Sequence, residues 1–195
     1  MDDKKLRLED LMAMDSAALQ AVMDRGHALD PDQLAGTMFV GVDLSMPEAG
    51  RRVLWHSFRK TFHRDEPGGP VRGWNIKIKQ GSDRSVDAVR ANREPLRDRK
   101  GKPVDFGHYV VKPADGIDWP KGWRGGHFLD YGAGRNKALD PARLGYTPLV
   151  AVNEGDMSLL LGWEIFKTPL GFAPLPLYWA LELEGELDLV VAPPR

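Results

Sequence analysis

From residue 104 onward the chain is a series of short apolar, β-branched or aromatic runs, at 104–112, 127–131, 149–153, 159–167, 177–184 and 187–191, punctuated by Gly, Pro, Asp and Asn. Runs of this length and content read as strands, and the punctuation supplies turns between them. Serial strands with short turns make an antiparallel meander, which removes its exposed edges by curving into a barrel or half-barrel. Two earlier runs join the series. Residues 37–44 are apolar and β-branched, and after the breaker Pro67-Gly68-Gly69-Pro70 the residues Trp74, Ile76 and Ile78 alternate with Asn75, Lys77 and Lys79. That two-residue period predicts a strand with Trp74 and the isoleucines on its buried face.

Helical periodicity is confined to the first part of the chain. Leu6, Leu8, Leu11, Met12, Leu19, Val22 and Met23 recur at helical spacing in two groups, with Asp15 placed as an N-cap between them and Gly26 as a stop. Asp30-Pro31-Asp32-Gln33 opens a further short helix that ends near Gly36. Leu54, Phe58 and Phe62 fall four apart with Arg51, Arg52, Arg59 and Lys60 in other directions, which predicts an amphipathic basic helix; a two-stranded hairpin is the competing reading. Residues 81–103 are nearly devoid of apolar side chains and read as an exposed charged loop, and the prolines at 169, 174 and 176 predict a rim loop over 170–175. The expected class is therefore α+β, one domain over 1–195, with a helical segment at 1–36 packed on a mostly antiparallel, strongly curved sheet or β-barrel at 37–195. In predicted strand order and aromatic content the chain resembles the calycin-type ligand-binding barrels, a likeness of architecture that does not by itself carry an activity.

Composition removes several classes of function. The absence of cysteine excludes disulfides, thiolate metal sites, iron–sulfur clusters and a cysteine nucleophile. No Walker, dinucleotide, EF-hand, zinc-protease or serine-hydrolase motif is present, so no cofactor is expected, and His56 and His63 are too far apart on the predicted helix to form a metal pair. The first residues lack an apolar leader and no stretch is long and apolar enough to span a bilayer, from which a cytoplasmic location with no membrane span is expected. Charge is unevenly spread: residues 51–103 hold 15 Lys/Arg against 6 Asp/Glu in a chain of net charge -1. Interleaved with Trp55, Phe58, Phe62 and Trp74, this basic face could serve an interaction module, but a near-neutral whole argues against nucleic acid and leaves an acidic protein partner or a homodimer as the alternatives.

Polar residues inside apolar runs mark the candidate sites. Glu164 interrupts a run from 159 to 166 that is otherwise apolar on both faces, so it either forms a structural ion pair or faces a ligand. His108 and Asp130 sit in two runs of similar texture and, if their faces converge with Glu164, could make a proton-transfer set for a cofactor-independent isomerase, dehydratase or hydrolase. The bland alternatives are a satisfied core histidine and a turn-initiating aspartate before Gly132. Trp74, Tyr109, Tyr131, Trp163 and Trp179 are the aromatics that could line an apolar pocket while each offers one polar handle. Arg135, in the Gly132-Ala133-Gly134-Arg135-Asn136 turn, is a candidate anion contact. The leading expectation is a non-enzymatic binding protein for a small hydrophobic or amphipathic molecule.

Overall fold

In the computed structural model, residues 5–45, 56–81, 83 and 85–194 are described. Eight strands run β1 (Thr37–Asp43), β2 (Ser57–Arg64), β3 (Val71–Lys77), β4 (Asp105–Pro113), β5 (His127–Asp130), β6 (Tyr146–Asn153), β7 (Asp156–Thr168) and β8 (Gly171–Glu186). Each pairs antiparallel with its neighbour in sequence, and β1 also pairs antiparallel with β8, so the meander closes into a barrel with no free edge. The expected α+β class with a barrel-like meander is what forms.

Local chemistry accounts for the helices. α1 (Leu8–Met12) and α2 (Ser16–Arg25) are separated by Asp15, whose carboxylate accepts the Ala18 N–H at 2.8 Å as the N-cap of α2. α3 (Pro31–Leu34) opens with proline in its first turn and the Asp30 carboxylate accepting from Asp32 and Gln33. α4 (Val86–Ala91) lies within the charged stretch, where the bridges Ile78↔Pro95 and Arg97↔Pro103 also organise a chain expected to be plain loop.

Two apolar cores result, one on each side of the barrel wall. Phe39, Phe62, Tyr109, Leu129, Leu149 and Leu160 fill the interior together with Leu29 and Leu34 from the α3 region. That end of the barrel, where β1 begins and β2 ends, is therefore plugged. The second core lies outside: Leu8, Leu11, Leu19, Val22 and Met23 of α1 and α2 pack on Val150, Leu161, Trp163, Tyr178 and Ala180 of β6, β7 and β8. Both faces of these strands are buried, which is why their sequences are continuously apolar instead of alternating.

Several expectations are corrected here. The helix predicted through Leu54, Phe58 and Phe62 is the strand β2 from Ser57 onward, with residues 51–55 outside the described ones; a spacing of four satisfies the period of two as well as that of a helix, and β2 with β3 forms the hairpin. Residues 187–191 form no strand, though Leu187 N–H still donates to the Gly36 carbonyl. The rim loop over 170–175 is instead the start of β8, with Pro174 opposite Ile165 at a register shift where a missing N–H is tolerated. On β3 and just beyond it, Trp74, Ile76 and Ile78 are buried as expected, and Asn75 is buried as well. Asn75 points into the barrel, while Trp74 turns to the outer face, where Arg72, His63 and His108 cover it.

Candidate functional site

The unplugged end of the barrel, where β1 ends and β2 begins, opens into a cavity of about 380 Å³. Its walls are largely apolar, with Phe58, Phe106, Phe166, Leu175, Leu177 and Trp179 contributing most of the hydrocarbon. Glycine makes the room. At Gly41 and Gly162 a Cβ would stand 2.4 Å and 2.3 Å from the Phe58 and Trp179 rings, so these two aromatics lie flat against backbone that carries no side chain.

Polar groups gather at one place in this cavity. Phe58, Lys60 and Phe62 alternate along the inner face of β2, which carries the Lys60 amine into the interior, where it is 1 % exposed. Nζ donates to Asn75 Oδ1 at 2.7 Å and to the Tyr131 hydroxyl at 2.8 Å. Asn75 is held in that orientation because its Nδ2 donates to the Gly107 carbonyl at 3.1 Å. Rings of Tyr109, Trp179, Tyr131 and Phe58 surround the amine with centroids 4.5, 4.8, 5.3 and 5.6 Å away. They supply the negative faces of their π systems in place of a bonded counter-ion.

Besides Lys60, the ionisable residues lining the cavity are Asp43 at the end of β1, Tyr131, and Glu164 on the inner face of β7. The Glu164 carboxylate receives the Thr147 hydroxyl at 3.4 Å and a hydrogen bond from Trp179. Burial pushes the Glu164 carboxyl above the usual range, against the opposing pull of the Lys60 charge and these hydrogen bonds. Burial pushes the Lys60 amine down to about 7, with the Glu164 charge acting in the opposite direction. Both groups thus move toward their neutral forms. Desolvation also raises the Tyr131 and Tyr109 hydroxyls, which therefore stay protonated at neutral pH.

Of the residues picked out from the sequence, Glu164, Tyr131 and Trp179 line the cavity, and Tyr109 lies directly beneath Lys60 with its hydroxyl donating to the Thr61 carbonyl at 2.6 Å. The others lie on the far side of the wall. Because Tyr109 and Leu129 point inward, His108 and Asp130 point outward. His108 Nε2 is 2.7 Å from Asp105 Oδ2 and its ring stacks on Trp74; Asp130 accepts from Lys112 Nζ at 2.7 Å and from the Ala133 N–H at 3.1 Å. The geometry therefore does not bring His108, Asp130 and Glu164 together. Trp163 is buried in the outer core with its indole N–H donating to the Leu175 carbonyl, and Arg135 is exposed in its turn with φ 59°.

Lys60, Asn75 and Thr147 were not singled out from the sequence. The signal that finds Lys60 is the Phe58-x-Lys60-x-Phe62 alternation once the segment is read as a strand. The basic face also changes character. Arg72 pairs with Asp65 of the same segment, while Arg59 pairs with Glu184, Arg64 with Asp32, and Arg90 with Glu9 and Glu182, so acidic residues from the rest of the chain neutralise part of it. Among the described residues no helix is long and apolar enough to cross a membrane.

A closed barrel with buried aromatic clusters and an open apolar cavity is compatible with binding a small ligand. Comparison with protein-family models, with curated proteins and with solved structures yields no match to this chain.

Proposed function

We propose that the barrel binds one small amphipathic molecule, with its apolar body against Phe58, Phe166, Leu177 and Trp179 and its polar end at Lys60 and Glu164. The observation that carries this reading is the placement of the Lys60 amine and the Glu164 carboxyl inside a largely apolar cavity that opens at one end. Burying a lysine costs several kcal/mol unless its donors are met, and here Asn75 and Tyr131 meet two of them. In the protonated form a bound molecule with an acceptor would meet the third, and in either form its hydrocarbon would cover the aromatic wall. The volume of about 380 Å³ exceeds the roughly 300 Å³ at which ligand sites begin.

The test is fluorescence titration with anilinonaphthalene sulfonate, an amphipathic anion whose emission rises in apolar surroundings. The native chain is expected to bind one equivalent saturably, and Leu177→Trp, which fills the cavity mouth, is expected to weaken binding at least tenfold while leaving the melting temperature near that of the native chain. Binding unchanged by Leu177→Trp, or no saturable binding by the native chain, would overturn the reading.

A further inference from the structure

We infer that Lys60 forms a reversible imine with an aldehyde or ketone carbonyl of the bound molecule, with the Glu164 carboxyl as the acid that expels water. The inference rests on the binding reading above and gives its ligand a chemical class. An amine becomes a useful nucleophile toward a carbonyl when it is desolvated in an apolar pocket, and a dehydrating acid must stand in the same water-poor space. Lys60 and Glu164 line one cavity, and each is held by its own partners: Nζ by Asn75 and Tyr131, the carboxyl by Thr147 and Trp179. The two acceptors on Nζ match the two hydrogens of a neutral amine. This leaves the nitrogen lone pair as the group free to meet an electrophile.

The step balances without a further reactant. The Nζ lone pair attacks the carbonyl carbon, the C–N bond forms, and the π electrons of C=O move to oxygen. A proton passes from nitrogen to that oxygen, for which the Tyr131 hydroxyl, already bonded to Nζ, is the placed relay. Glu164 then gives its proton to the hydroxyl, the C–O bond breaks, and water departs as the nitrogen electrons close the C=N bond. The products are an iminium cation and the Glu164 carboxylate, so one neutral pair becomes one ion pair. The four rings that face Nζ at 4.5 to 5.6 Å stabilise the new cation as they would an ammonium. Near pH 7 about half of Lys60 is already the free amine, whereas an exposed lysine is almost wholly protonated.

The experiment uses naphthalene-2-carbaldehyde as the probe and 2-naphthylmethanol as the same body without the carbonyl. The full chain is incubated with the aldehyde and cyanoborohydride at pH 7, digested, and mapped by mass spectrometry. One naphthylmethyl group is expected on the peptide containing Lys60, ahead of any surface lysine. It should be lost in Lys60→Met and in Lys60→Arg, and form roughly a hundredfold more slowly in Glu164→Gln. Quenching of tryptophan fluorescence by the alcohol reports non-covalent binding separately. If the alcohol binds and the aldehyde labels only surface lysines, the imine is overturned while the binding reading stands. If neither compound binds, both fall; an unchanged labelling rate in Glu164→Gln would overturn the assignment of the acid.

Discussion

At the scale of single residues the Lys60 amine is a liability to the fold, surrounded by rings and held below its ordinary range by desolvation. The consequence for stability has a definite sign. Below about pH 7 the amine is charged in both folded and unfolded chains, and the full penalty of burying a charge is present. Between about 7 and the ordinary 10.5 the unfolded chain keeps a proton that the folded chain has released, so stability rises with pH, and above 10.5 it levels off. The stability of the native chain relative to Lys60→Met should therefore increase by roughly 3–5 kcal/mol from pH 7 to pH 10.5. Urea unfolding of both proteins across that range checks it; parallel curves would mean that Lys60 titrates as if it were in water. Glu164 was legible from sequence because a carboxylate stood alone in an apolar run. Lys60 was not, since Arg51, Arg52 and Arg59 nearby made it look like one more basic residue on a solvated face.

At the scale of elements, closure of the barrel depends on β1, which is hydrogen-bonded to β2 on one side and β8 on the other. A side-chain bridge spans the same three strands. Arg59 on β2 donates to both oxygens of Glu184 on β8, at 2.8 and 2.7 Å, and the two side chains are only 10 % and 6 % exposed. Removing Arg59 leaves the buried Glu184 carboxylate facing Arg93, which is half exposed and 3.8 Å away, so Arg59→Met should lose about 2–4 kcal/mol in urea unfolding. Arg59→Met with Glu184→Leu should regain most of that loss, because neither charge then remains; a double variant as weak as the single one would show that packing, and not charge, is what Arg59 supplies. Arg59 shows where reading the sequence stops. The serial strands from 104 onward were legible because turn residues bracket each one. The segment containing Arg59 was not, since Leu54, Phe58 and Phe62 repeat at an interval common to helix and strand, and only the pairing of β2 with β1 and β3 decides between them. Partners such as Glu184, 125 positions away, are invisible to any local pattern.

Considered as a whole, the molecule keeps stability and recognition on opposite sides of one sheet. The outer core beneath α1 and α2 holds the helices to β6, β7 and β8, and two of these strands, β7 and β8, turn Glu164, Phe166, Leu175, Leu177 and Trp179 to the cavity on their other face, where β1 to β4 complete the wall. The two sides alternate residue by residue along β7: Leu161, Trp163 and Ile165 belong outside, while Gly162, Glu164 and Phe166 face the cavity. A change on one side should then leave the other nearly untouched. Leu19→Ala, at a fully buried position of α2, is expected to cost about 2–4 kcal/mol through the void it leaves under the helix, and to change the affinity for a cavity-bound fluorophore by less than twofold. Gly162→Ala acts from the other side. Its Cβ would meet the Trp179 ring at 2.3 Å, so the indole must shift into the cavity; affinity should fall tenfold or more, with a stability loss of about 1–3 kcal/mol from the overpacking. Both losses lie within the roughly 5–15 kcal/mol that holds a domain of ordinary stability together, so each variant should remain folded for the comparison. Should Leu19→Ala weaken binding as strongly as Gly162→Ala, the wall is not stiff enough to isolate its two faces, and the shape of the cavity depends on the helices packed outside it.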